Sequence, residues 1–228
     1  MRTVTFCTTI ILILVLSSCG AQKEENRVAY TPAPDSPLTV GPGQGPPVAA
    51  DMNGDGHLDI VSPSAQSNES NAKQLSVFLG NGAGEFTTKR IITNLTDGAI
   101  RIAVGDINND KHPDIAATQH DHYEVWFFLN DGDGNLHPAP QLTTTLFDGA
   151  TPHTHNVALA DINADGNRDV LATLAEDNAV AVLLGEGNGH FQSATGSPFP
   201  AGAHPYEGLQ TADMNSDGHI DIIAPNMH

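Results

Sequence analysis

Positive charge is scarce in this 228-residue sequence: 9 Lys and Arg stand against 27 Asp and Glu, a formal net charge of −18. Nucleic-acid binders need Lys and Arg to neutralise phosphates, so that class of partner is excluded. Anionic lipid headgroups would repel the chain for the same reason. Aromatic residues are also few, at 5%. Cysteine is nearly absent, since Cys7 and Cys19 are the only two and both fall in the first nineteen residues. The remainder has no disulfide, and an exported chain of this size then needs another staple, for which bound metal is the natural candidate. No nucleophile elbow, P-loop or dinucleotide fingerprint occurs, so no catalytic residue is identified and no enzyme is expected. Glycine and proline are plentiful, with 22 and 15, which suits many short strands joined by turns. Such a composition also suits disorder. Apolar runs such as Val125-Trp126-Phe127-Phe128-Leu129 argue against it.

Long apolar segments are missing as well. Ile10 to Leu16 follows a short positive start at Arg2 and is too short to span a bilayer as a permanent helix. It runs into Leu16-Ser17-Ser18-Cys19-Gly20, which resembles the bacterial lipobox. That resemblance implies that residues 1–19 are a lipoprotein signal peptide. It implies that Cys19 is acylated, begins the mature chain and anchors it to a membrane of the cell envelope. An ordinary secretory signal with an incidental cysteine is the alternative. Polar residues 20–27 read as a tether, and 28–228 as the folded body.

What the body has is a repeat. Asp51-Met52-Asn53-Gly54-Asp55-Gly56-His57-Leu58-Asp59 returns at 106–114, 161–169 and 213–221, with starts 55, 55 and 52 residues apart. A second signature, Leu79-Gly80-Asn81-Gly82-Ala83-Gly84-Glu85-Phe86, recurs at Leu129 to Leu136 and at Leu184 to Phe191. A unit of this length is that of a four-stranded propeller blade. Inner strands precede the loops at 48–50, 102–105, 157–160 and 209–212, and second strands begin at Ile60, Ile115, Val170 and Ile222. Third strands read at 75–79, 125–129 and 180–184, and fourth strands begin near Phe86, Leu136 and Phe191. The residue before each loop is Ala or Gly, which suits a crowded inner strand. Ser36-Pro37-Leu38 corresponds to Ser197-Pro198-Phe199, so residues near 28–38 read as the outer strand of a further blade. The expected fold is all-β: an incomplete propeller of about three and a half four-stranded blades. Such a chain is either a piece of a longer protein or closes on another copy, since open strand edges invite self-association.

Each loop offers oxygens at positions 1, 3, 5 and 9. These are Asp51, Asn53, Asp55 and Asp59; Asp106, Asn108, Asp110 and Asp114; Asp161, Asn163, Asp165 and Asp169; Asp213, Asn215, Asp217 and Asp221. Three carboxylates so close repel one another unless a cation sits among them. Calcium takes six to eight oxygens in flexible geometry, with the backbone carbonyl of position 7 (His57, His112, Asn167, His219) and water completing the shell. Magnesium demands stricter geometry, and the pattern lacks the Cys and His ligands of zinc. Up to four calcium ions are expected. Position 6 is Gly except at Lys111, so the second site is expected to be the weakest. The alternative is four solvated acidic turns. EF-hand loops are excluded because position 12 is Ser62, Ala117, Ala172 and Ala224 instead of Glu.

The run Pro47 to Gly56, with Leu79-Gly80-Asn81-Gly82 behind it, resembles the integrin-α type repeat called FG-GAP and its bacterial relative, the VCBS repeat. The resemblance covers about residues 36 to 225. It implies calcium between adjacent strands and a propeller that serves adhesion or glycan recognition. The function expected is a surface binding module for a protein or glycan. A part of an envelope carbohydrate-active enzyme is the alternative, since fold is a poor guide to function.

Two histidine pairs stand apart from the loops. His120-Asp121-His122 and His153-Thr154-His155 have the i, i+2 spacing that sets two rings on one strand face. Such pairs give a transition-metal or catalytic reading a route, while exposed loop histidines remain the simpler account. Glu207 and Ile100 occupy the place of His155 in the fourth and second repeats, which argues against a repeated site. Trp126 and Phe127 read as blade packing. The glycosylation-type sequences at Asn68 and Asn94 are not expected to be used in a bacterial lipoprotein.

Overall fold

The computed structural model describes residues 31–34, 36–40, 45–64, 74–92, 101–119, 121–149, 151–206 and 208–227. The chain divides into units 1–32 and 33–228, and every described strand belongs to the second. The signal, Cys19 and the tether lie outside the described residues, as do His120 and Glu207. Among the described residues no helix is long and apolar enough to cross a membrane.

The fold is all-β, and its strands follow the repeat. The first sheet is β1 (Val48–Ala50), β2 (Asp59–Ser64), β3 (Gln74–Gly80) and β4 (Phe86–Ile92), paired in that order. The second is β5 (Arg101–Gly105), β6 (Asp114–Thr118), β7 (Glu124–Asn130) and β8 (Leu136–Pro138), with β9 (Thr144–Thr145) also on β7. The third is β10 (Thr154–Ala160), β11 (Asp169–Leu174), β12 (Ala179–Gly185) and β13 (Phe191–Ser193), with β14 (Phe199–Pro200) also on β12. The fourth has β15 (Gln210–Ala212) and β16 (Asp221–Ile223). All pairs are antiparallel. This is an incomplete β-propeller of three full blades and a two-stranded fourth.

The fourth strands begin at Phe86, Leu136 and Phe191, as the repeat predicts, and the outer edges add detail to it. The outer strand is broken in the second and third blades. Pro140–Leu142 forms a 3₁₀ turn between β8 and β9, because proline cannot donate to the ladder. In the third blade the break is a turn in which the Ser197 N–H donates to the Ala194 carbonyl at 2.9 Å. The Ser36 N–H donates to Ala33 in the same way, so the correspondence with Ser36-Pro37 holds as a turn. Among the described residues of 31–40, however, no strand forms.

The cores lie between blades. Met52, Val61, Val77, Ile115 and Phe128 fill the space between the first two sheets. Val125, Phe127, Val170, Leu174 and Leu183 fill the next. Leu171, Val180, Val182 and Leu209 fill the third. Alternation along a strand explains the division, since successive side chains point to opposite faces. On β7, Val125 and Phe127 face the third sheet, while Phe128 faces the first. On β12, Ala179, Ala181 and Leu183 face backwards, and Val180 and Val182 forwards. Middle strands are thus covered on both faces, which is why they read as continuous apolar runs. Phe127 stacks on Phe191 with centroids 4.9 Å apart, and burying a ring of that size contributes about 1.5–3 kcal/mol. At the inner edge, a Cβ on Gly105 would sit 3.2 Å from the Leu159 side chain of the neighbouring inner strand, so space there is tight.

Candidate metal centre

Each acidic loop closes a hairpin between an inner strand and the next. In register, Ala50 faces Asp59, Gly105 faces Asp114, Ala160 faces Asp169 and Ala212 faces Asp221. The chain between them wraps around the first carboxylate. Asp51 Oδ1 accepts the Gly54 and Asp55 N–H groups at 2.8 and 3.2 Å, and Oδ2 accepts Gly56 at 2.9 Å. Asp106, Asp161 and Asp213 accept the position 5 and 6 amides at 2.8–3.2 Å. Position 5 accepts the position 7 amide at 2.8 Å in all four loops. Position 3 donates its amide nitrogen to the position 5 carboxylate at 2.9–3.0 Å.

These turns require a left-handed backbone at two places. Position 6 is one, with φ of 85°, 74°, 89° and 86° at Gly56, Lys111, Gly166 and Gly218. Lys111 therefore follows the path of glycine, and its N–H meets Asp106 Oδ2 at 2.8 Å as glycine does elsewhere. Position 4 is the other, at Gly54, Asn109, Ala164 and Ser216. The varied residue types there give no sequence signal.

Position 9 does more than offer an oxygen. Asp59 is buried, and its two oxygens accept the Met52 N–H at 2.7 Å and the Gly80 N–H at 2.8 Å. Asp114 does this with Ile107 and Asn130, and Asp169 with Ile162 and Gly185. Asp221 accepts Met214 at 2.9 Å. The ninth residue thus straps the loop to the end of the third strand. Each oxygen keeps a lone pair beyond the one it uses.

Electrostatics separate the roles. Hydrogen bonds hold the exposed carboxyls of Asp55, Asp165 and Asp213 below the usual range. The principal donors are the Asn53 side chain for Asp55, the Asn167 amide for Asp165 and the Gly218 amide for Asp213. Burial instead pushes Asp114 up to about 6 against its two amide donors, and the charges of Asp110 and Asp106 add to the rise. Burial raises Asp169 too, with the charge of Asp165 adding to it. Oxygens of Asp106, Asp110 and Asp114 lie within 4.8 Å of one another. An all-oxygen donor set with mutually repelling carboxylates fits a hard divalent cation. The position 3 amide would have to present its oxygen in place of its nitrogen.

The two sequence signatures meet in space. A Cβ on Gly82 would collide with the His57 ring, one on Gly132 with the His112 ring, and one on Gly187 with Asn167 and Asn109. A Cβ on Gly80 or Gly185 would collide with the Leu58 or Arg168 carbonyl. In the second blade Asn130 takes that place, and its side chain donates to the Pro113 carbonyl at 3.1 Å and to Met52 of the preceding loop at 2.7 Å. Gly189 likewise donates to the Ile107 carbonyl of the loop before it, at 3.1 Å. These cross-blade bonds were not visible in the sequence. Asn130, standing where the other two signatures have glycine, was the one available hint.

No curated protein matches the sequence significantly. One solved structure that the chain resembles comes from a study of specific recognition of non-reducing terminal N-acetylglucosamine by an Agrocybe aegerita lectin. The likeness has a TM-score of 0.48 at 20% identity, covering 79% of this chain and 46% of that one. This chain thus spans less than half the length of that protein. The model of the FG-GAP-like repeat matches three times, at residues 51–117, 106–172 and 161–224. Each match starts at the first aspartate of one loop and runs into the second strand of the following blade. With more than half of its length matched, the chain belongs to the FG-GAP-like repeat family.

Proposed function

We propose that the chain is a calcium-stapled propeller module of the bacterial cell envelope, held by lipid at Cys19, that binds a protein or glycan ligand. The convergence of Asp106, Asp110 and Asp114 carries the calcium reading, because it leaves carboxylate charge crowded beside a buried group. In each loop the side chains of positions 1, 3, 5 and 9, with the position 7 carbonyl, would hold the ion. Calcium there supplies positive charge and oxygen cross-links. The residues supply a turn already wound about the first carboxylate and, in the first three loops, strapped to the third strand by the ninth.

Ions that bind only the folded chain stabilise it. Sites of the extracellular type hold calcium at roughly 10⁻⁴ to 10⁻³ M. Calorimetry at millimolar calcium should show binding at the loops and a melting temperature that falls sharply in excess chelator. Equal melting curves in the two conditions would remove the staple. Acyl-chain labelling that vanishes in Cys19→Ala tests the anchor. Screening the full chain on a glycan array with and without calcium tests the ligand class. Signal that is insensitive to calcium would count against a calcium-dependent binding surface.

A further inference from the structure

A second cluster lies away from the acidic loops. At the start of β10 the His153 and His155 side chains bring their Nε2 atoms to 2.9 Å, with ring centroids 4.8 Å apart and planes within 13°. The nitrogens are closer than the centroids, so each ring turns its Nε2 toward the other. Both histidines are half-buried. Tyr206 stands edge-on to both rings, at 5.1 and 4.4 Å, and its hydroxyl donates to Glu176 Oε1 at 2.7 Å.

The backbone around the pair is pinned. Thr154, between the two histidines, is buried, and its hydroxyl donates to the His122 carbonyl at 2.7 Å. The Thr118 hydroxyl of the preceding blade donates to the His155 carbonyl at 3.2 Å. Asn156 donates to the Tyr206 carbonyl at 2.8 Å. Two segments distant in sequence, 118–122 and Tyr206, thus pin the backbone that carries the two imidazoles.

We propose that His153 and His155 are the protein ligands of a divalent transition ion of tetragonal preference, copper(II) or nickel(II). Imidazole nitrogens bind such ions at about 2.0–2.1 Å, so two at a right angle stand about 2.9 Å apart. Two ligands of a tetrahedral zinc ion would stand about 3.3 Å apart. The spacing lies nearer the tetragonal value than the tetrahedral one. Without the ion, one imidazole donates its proton to the other across the same gap, which keeps the pair in place. The ion takes the site once the donating imidazole shifts its proton from Nε2 to Nδ1, which frees both Nε2 lone pairs and leaves both rings neutral. Water fills the other positions, and Glu176, tied to Tyr206, adds negative charge beside the pair. The excess of acidic residues over the whole chain draws cations toward it.

The test uses the full chain in millimolar calcium, titrated with copper(II), nickel(II) or zinc(II). Copper(II) should bind at one tight site with a tetragonal electron paramagnetic resonance spectrum showing two nitrogen couplings. Nickel(II) should bind there too, and zinc(II) at least tenfold more weakly than copper(II). His153→Ala and His155→Ala should each weaken copper(II) binding at least tenfold, while His190→Ala, at an exposed position, should not. In the unsubstituted chain, copper(II) should protect both histidines from diethylpyrocarbonate, read by mass spectrometry. This arm stands even if a variant fails to fold. Unprotected histidines, or equal losses in His190→Ala, overturn the proposal and leave the pair a hydrogen bond.

Discussion

The Asp59 carboxylate accepts the Gly80 N–H at 2.8 Å across 21 residues, and its other oxygen accepts Met52 at 2.7 Å. One side chain therefore ties an acidic loop to the end of a third strand. Hydrogen bonds to a charged acceptor contribute about 1.5–3 kcal/mol each. Asp169→Ala, which breaks the same pair of bonds at Ile162 and Gly185, should cost about 3 kcal/mol or more. Asp221→Ala removes one bond, in an exposed setting, and should cost about 1 kcal/mol. Urea unfolding in chelator checks the order, with the metal term removed. Equal losses would mean that the straps carry no stability.

Lys111 adopts φ 74°, in the left-handed region that its glycine counterparts occupy at 85–89° without a steric penalty. Lys111→Gly should stabilise the chain by about 1 kcal/mol and tighten calcium at the second loop. Titration calorimetry and thermal melts read both effects. A weaker second site in the glycine variant would show that the lysine assists the loop.

Gly82→Ala should be far worse than Gly54→Ala, although φ is 74° at one and 71° at the other. The new methyl at Gly54 meets nothing within 4 Å, whereas at Gly82 it meets the His57 ring. Backbone strain alone costs about 1 kcal/mol, and the collision adds to it. The double variant His57→Ala/Gly82→Ala should recover about 1 kcal/mol over additivity in a double-mutant cycle. Strict additivity would deny the contact between the two signatures.

Acid should loosen the hairpin joining β7 and β8. The Asn135 side chain, with the amides of Asp133 and Asn135 and the nearby His137, holds the Asp131 carboxyl down to about 2. A depressed carboxylate stabilises the fold above its unfolded value of about 3.9, and that stability is lost as the pH falls toward 2. Asp131 is about a third exposed, so solvent keeps the effect below about 1 kcal/mol. Asp131→Asn should be less stable than the natural chain at pH 6 and should match it near pH 2. Melting curves across that range would show a constant gap if Asp131 played no part.

The blades were legible because two periods coincide: an outer one near 55 residues and an inner alternation that splits strands such as β12 between two cores. The acidic loops were legible because four copies keep one oxygen spacing. Position 9 was legible as an oxygen donor but not as a strap, because its partners Gly80, Asn130 and Gly185 contribute only backbone N–H groups. The left-handed turn at position 4 left no mark, since Asn109, Ala164 and Ser216 share no chemistry. The histidine pair was visible from its i, i+2 spacing. Its neighbours Tyr206 and Glu176 were not, because only the packing of the third blade against the fourth brings them close.

The carbonyl of position 2 receives its hydrogen bond from the blade that follows: Asn130 for Met52, Gly189 for Ile107. The side chains agree, since Met52 and Ile107 are buried under the next sheet, whereas Met214, with no later sheet among the described residues, is 67% exposed. The repeat therefore has a polarity. A blade secures its predecessor's turn and leaves its own to be secured by its successor. Amide exchange should accordingly run fastest in the fourth turn, and damage to one blade should spread toward the amino terminus.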